Sequence, residues 1–173
     1  MQRNLITNGC ALTFQFKKLL MMNYLLTCFI AILSMNICFS QKTNPNYDQE
    51  LATKLGADDY GMKNYVFVIL KTGTNESTNK TLKDSCFAGH MSNISRLVKE
   101  KKLIVAGPMA KNDNTYRGIF ILDVPTLEDA RVLLETDPAI KAKFLEPELY
   151  MWYGSAALSE YLDASDKVWK VGF

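Results

Sequence analysis

The chain has a single histidine, His90, in the stretch FAGHMSNISRLVKEKKLIVAGPM from Phe87 to Met109. An imidazole titrates near neutral pH, so it can serve as general base, general acid or metal ligand. A lone histidine with no cysteine cluster argues against a structural zinc site. Asp137 ends one helical pattern and precedes Pro138, at a helix end that can approach the helix carrying His90. If the two side chains meet, the carboxylate fixes the imidazole tautomer and stabilises the imidazolium. The plainer alternatives are an imidazole bonded to a backbone carbonyl, and an aspartate that caps a turn starting near Ala139.

Other candidates are less specific. Gly107-Pro108 closes a strand, where glycine allows a close backbone approach and proline fixes the turn. The pair can form one wall of a pocket, and amides near Gly107 can hold an oxyanion. Arg117, Tyr150, Tyr153 and Lys111 are types that bind a small anion, and Arg117 and Tyr150 are taken as binding candidates with Gly107 and Pro108. Cys86 reads as a small inward-facing apolar residue. Asp58-Asp59 is an adjacent acidic pair in a turn. Trp152 and Trp169 read as core or interface anchors. There is no phosphate-loop glycine pattern and no GxSxG frame. No metal and no cofactor is expected.

These residues need elements to position them. Asp48 to Leu55 suits a short helix stopped by Gly56. YVFVIL, Tyr65 to Leu70, is a strand rich enough in β-branched and aromatic residues to be covered on both faces. KTGTNESTNKT, which follows, has no apolar anchor and reads as a solvent-facing loop. Asp84 or Ser85 can cap a helix running to about Lys101, which places His90 near its start. Phe87, Met91, Ile94 and Val98, widened by Leu97, recur at helical spacing and define its apolar stripe, with His90 at the edge.

Leu103 to Ala106 and Tyr116 to Val124 read as strands, separated by a turn at Asp113-Asn114. Thr126 can cap the next helix, with Glu128 and Asp129 in its first turn. Asp137-Pro138 breaks that helix, Ala139 to Lys143 suits one more turn, and ELYMWY after Pro147 is a last strand. The order strand, helix, strand, strand, helix, strand is the split βαβ, or ferredoxin-like, α+β arrangement: a four-stranded antiparallel sheet with two helices on one face. Its other face is also apolar and calls for a cover, for which a homodimer through the sheet is the simplest solution.

Charge and cysteines bound the function class. Of 20 basic residues only Arg3, Lys17 and Lys18 precede Gln41, and no acid does, leaving 17 basic against 18 acidic residues from Gln41 onward. With no basic stripe, nucleic acid is not an expected partner. Lysines, then an apolar run from Tyr24 to Phe39, then small and polar residues near Ser40 have the layout of a secretory signal peptide. The run is short for a membrane span, which needs roughly 20 residues, although a retained anchor is the alternative. Cys10, Cys28 and Cys38 lie in this leader, so only Cys86 remains after cleavage and no internal disulfide can form. The expected organisation is a leader over 1–40, a polar linker and short helix over 41–64, a domain over 65–153 and a C-terminal extension over 154–173. The expected location is periplasmic or secreted, with no stable membrane association after cleavage. Asn75, Asn79 and Asn93 match glycosylation sequons, which matter only in a eukaryotic secretory pathway.

Four features in order resemble the YciI-like, or YCII-related, domain family. They are the opening strand YVFVIL, HMSNISRLVKEKKLIVAGP, GIFILDV followed by LEDARVLL, and TDPAIKAKFLEPELYMWY. The resemblance spans roughly Tyr65 to Tyr153. It implies a ferredoxin-like domain associating as in the dimeric α/β-barrel group, and a candidate catalytic His–Asp dyad falling on His90 and Asp137. Some relatives act on small oxidised aromatic compounds, by dehydrochlorination of a chlorinated hydroquinone or isomerisation of a lactone. The implied chemistry is metal-independent acid/base catalysis of lyase, isomerase or hydrolase type on a small organic acid or lactone-like molecule. The alternative is a non-catalytic binding domain or a structural envelope protein.

Overall fold

The computed structural model describes residues 17, 18, 20–24 and 44–171. Two units divide the chain, Met1–Tyr47 and Asp48–Phe173. In the first, residues 17, 18 and 20–24 are helical and exposed. The rest of the expected leader, with its three cysteines, lies outside the described residues. Among the described residues no helix is long and apolar enough to cross a membrane.

The second unit is α+β. Its elements run α1 (Gln49–Leu55), β1 (Met62–Thr72), α2 (Lys80–Lys99), β2 (Leu103–Pro108), β3 (Tyr116–Leu122), α3 (Leu127–Leu134), α4 (Pro138–Lys141) and β4 (Leu145–Ser155). A 3₁₀ turn (Ala156–Tyr161) and α5 (Leu162–Ser165) follow. The four strands form one sheet in the order β2-β3-β1-β4. Every neighbouring pair is antiparallel. This is the split βαβ topology: β1 and β2 are joined through α2 with β3 between them.

The pleat sorts β1 into two faces. Val66, Val68 and Leu70 are buried with Leu97, Phe120, Leu122, Ala130 and Leu134 under the helices. Complete burial of each large aliphatic contributes about 1.5–3 kcal/mol. Tyr65, Phe67 and Ile69 point to the opposite face. Phe67 and Ile69 stand opposite Ile121 and Ile119 of β3, and all four are half-buried. Tyr65 is fully buried because the chain returns over it. Its hydroxyl donates to the Ser155 carbonyl at 2.9 Å, and its ring lies 5.6 Å from that of Trp152. The Ala156 amide bonds Gly61, and the Tyr161 hydroxyl donates to the Ile104 carbonyl on β2. The C-terminal extension thus ties one edge strand to the other. Trp169 is exposed and bonds Asp166, so it anchors no core within this unit.

Three elements depart from the sequence expectations. First, α2 begins at Lys80, not at Asp84 or Ser85, because Asn79 caps it by accepting the Leu82 amide. The added turn has one apolar residue, Leu82, which is exposed, so it shows no hydropathy periodicity, only a Lys80–Asp84 pair at i,i+4. His90 is therefore mid-helix. Second, the loop after β1 is anchored: Gly73 and Asn75 amides bond the Phe144 and Lys143 carbonyls, and the Asn75 side chain donates to Ala142. A β-carbon at Gly73 would lie 2.1 Å from the Lys143 oxygen, so only glycine fits there. Third, β4 starts at Leu145 and runs through Pro147. It is an edge strand, where a residue without an amide proton is tolerated.

Candidate functional site

The buried line of α2 is Cys86, His90, Asn93 and Leu97. Their spacing is helical, but the line is rotated by one residue from the apolar stripe read in the sequence. Phe87, Ile94 and Val98 flank it, half-buried, and Met91 is exposed. The centre of the helix's inner face is thus polar, and such groups are kept in a core only when partnered.

The partner is Asp137, fully buried at the junction of α3 and α4. It caps α4: one carboxylate oxygen, Oδ1, accepts the Ala139 amide at 2.9 Å and the Ile140 amide at 3.3 Å. Pro138 at the first helical position costs nothing, since its missing amide proton would have had no helical acceptor. The other oxygen, Oδ2, lies 2.7 Å from His90 Nδ1. The capping reading of Asp137 and the pairing reading are therefore both realised, one on each oxygen. The carbonyl-bonded reading of His90 is not.

Burial acts most strongly on Asp137 and pushes its carboxyl up. The His90 hydrogen bond, the His90 charge and the Ile140 and Ala139 amides together outweigh it, and the group is held below the ordinary aspartate value. Asp137 is then an acceptor on both oxygens, so Nδ1 must carry the proton it donates. Nε2 makes no hydrogen bond among the described residues, and none of their buried side-chain nitrogens or oxygens lacks a partner. Nε2 is therefore in contact with solvent. The ring is held flat on Phe120 of β3, with centroids 5.8 Å apart and planes at 22°, and Phe87 meets it edge-on at 6.2 Å. A fixed imidazole with Nδ1–H on a carboxylate and Nε2 facing outward can take a proton from a bound molecule and return it.

Asn93 and Thr136 complete the surroundings. Asn93 Nδ2 donates to Asp137 Oδ2 at 3.4 Å. Asn93 Oδ1 accepts from Arg96 at 2.8 Å, and the Thr136 hydroxyl lies 3.1 Å from it. Sequence reasoning missed all three residues. The available signal was Asn93 itself, three residues after His90 and so on the same helical face.

The remaining candidates divide. Pro108 pairs with Gly118 of β3, on the sheet face where Phe120 carries the His90 ring. Gly107 pairs with Ile119 on the opposite face. Tyr150 stands opposite Phe67 and is half exposed, also on that opposite face. Arg117 is the residue skipped where the register shifts between Leu70–Gly118 and Lys71–Tyr116, and it alternates with Gly118 away from His90. Arg117 and Tyr150 therefore do not join His90 and Asp137 within one chain. Lys111 is exposed, and Tyr153 donates to Asp58. Cys86 is a buried free thiol. Among the described residues, no three His, Cys, Asp or Glu side chains converge as metal ligands.

A sequence profile of the YCII-related domain matches residues 65–151. Among solved structures, the chain is similar to 5-chloro-2-hydroxyhydroquinone dehydrochlorinase from Burkholderia phenoliruptrix AC1100, solved in complex with 2,5-dihydroxybenzoquinone. The identity is 19%, the match covers 50% of this chain and 92% of that one, and the TM-score is 0.37. No curated protein matches.

Proposed function

The chain belongs to the YCII-related domain family, and on that premise we propose that it performs acid/base chemistry on a small organic molecule through His90 and Asp137. The observation that carries this reading is the 2.7 Å contact from His90 Nδ1 to a fully buried, ionised Asp137, with Nε2 in contact with solvent. In this role Nε2 removes a proton from carbon or from water. Asp137 stabilises the imidazolium that forms, and the same nitrogen returns the proton to the product or leaving group. The cycle is closed in protons and asks for no redox partner, which fits elimination, isomerisation or hydrolysis of a small acid or lactone.

The half-buried Phe67, Ile69, Val105, Ile119 and Ile121, with exposed Tyr150, supply an apolar sheet face that a second copy would cover. The layout of residues 1–40 supports export, so we place the activity in the periplasm or outside the cell.

A second reading is favoured by how little of His90 is exposed, 8%. The pair then serves as a polar core contact or a binding site without turnover. Proton NMR of the purified protein with a panel of small oxoacids and lactones separates the two. Turnover that is lost in both H90A and D137N supports the catalytic reading. Saturable binding without turnover, or turnover that survives H90A, overturns it.

A further inference from the structure

We propose that Asn93 is a positioning residue for the His90–Asp137 pair, and that Arg96 sets its orientation; this rests on the acid/base reading above. A guanidinium can only donate. Arg96 lies 2.8 Å from one terminal atom of the Asn93 amide, so that atom must be the oxygen. Thr136 lies 3.1 Å from the same oxygen and 2.6 Å from the Leu133 carbonyl. Its single proton serves one of the two, and its own oxygen accepts from Arg96 at 2.9 Å.

With its oxygen fixed on Arg96, Asn93 must turn its NH₂ toward Asp137. There it donates to Oδ2, the oxygen that receives His90 Nδ1–H. Asp137 thus has four donors: two amides on Oδ1, and His90 and Asn93 on Oδ2. A carboxylate has about four lone-pair sites, so none is left to turn toward another group. A chain of one-way hydrogen bonds runs from Arg96 through Asn93 to Asp137, and its effect is to hold His90 as the Nδ1–H tautomer with the Nε2 lone pair outward. Asn93 itself does not touch the exposed ring nitrogen. It acts through Asp137.

The test is the ¹⁵N spectrum of the imidazole in the full chain, labelled at histidine and purified with a histidine-free tag, so that the spectrum has one imidazole. In its neutral form the wild-type imidazole is expected to carry its proton on Nδ1 and to leave Nε2 bare. N93L removes the donor at similar volume, and the Nε2–H share is expected to rise on the order of fivefold, the effect of losing one hydrogen bond of ordinary strength. R96M, at an exposed position, frees the Asn93 amide to flip and should shift the ratio in the same direction by less. A folded N93L with the wild-type tautomer ratio overturns the proposal. If N93L does not fold, R96M decides: an unchanged ratio overturns it and a shift supports it. The reading of the pair itself is tested separately by D137N. An unchanged tautomer there sinks the pair, whereas a shift in D137N with none in N93L sinks only the role of Asn93.

Discussion

Gly89 and Pro138 meet where α2 crosses the start of α4, and a β-carbon at position 89 would lie 2.6 Å from Pro138 Cγ. Each is the chain neighbour of a member of the pair, so this contact sets how closely His90 and Asp137 approach. A mid-helix Gly→Ala change ordinarily stabilises by about 1 kcal/mol. Here the proline ring cannot swing aside, and overpacking costs typically 1–3 kcal/mol. G89A is expected to lower stability in urea denaturation and to broaden or shift the His90 ring resonances. A stabilised G89A with unchanged His90 signals would show that α4 has room to move.

The two roles of Asp137 can be separated by substitution. Asparagine is a good N-cap but has one oxygen, which must serve either the Ala139 and Ile140 amides or His90. D137N should lose the charged bond to His90, about 1.5–3 kcal/mol, and keep the cap. D137A should lose the cap as well, about 1 kcal/mol more. Equal losses in chemical denaturation would mean that the cap contributes nothing.

The same carboxyl makes stability fall in acid. Its folded value is held below the ordinary 3.8, so the unfolded chain takes up the proton first as the pH drops. The contribution is complete above the ordinary value and is lost as the pH falls through the lower folded one. Stability measured from pH 5 downward should fall less steeply in D137N than in wild type. It should not become flat, because Asp58 and Glu148 are also held low.

Much of this site was readable from residue types. His90 is the lone histidine, Asp137-Pro138 is a helix break with a known capping geometry, and Thr126 and Gly56 mark helix ends where the structure has them. The phase of α2 was not readable. Hydropathy puts apolar residues inward, and here the innermost line holds His90 and Asn93, whose burial depends on a partner 44 to 47 residues away. The start of α2 is hidden for a related reason: its first turn has a single apolar residue, the exposed Leu82, and Asn79 reads as a sequon before it reads as a cap. Arg117 and Tyr150 were grouped with the site by type alone. Strand alternation from Gly118 and Phe120 would have separated Arg117, but the irregularity at Lys71 is set by tertiary pairing.

The apolar face opposite the helices gives an oligomer prediction. Ile121 stands between Phe67 and Val105 on that face. A lysine there puts a charge at the centre of a sheet-to-sheet contact, where an unpaired buried charge is strongly unfavourable. Sedimentation velocity should show a dimer for the wild type and a monomer for I121K, with the far-UV spectrum retained. A monomeric wild type would remove the sheet face as an interface between copies.

Tyr65 gives the strap over β1 an alkaline signature. Burial, aided by the charge of Asp123, pushes its hydroxyl up from 10.0 to about 12. The unfolded chain therefore loses this proton first as the pH rises. Its stabilising effect is complete below pH 10 and is lost between 10 and about 12. Tyr153, raised to about 12 by its bond to Asp58, titrates in the same window. Y65F should thus reduce, but not abolish, the fall in stability over that range. It should also lower stability at neutral pH by about 1 kcal/mol, since the Ser155 carbonyl loses its donor. An unchanged alkaline slope in Y65F, with Y153F removing all of it, would show that Tyr65 ionises without unfolding the strap.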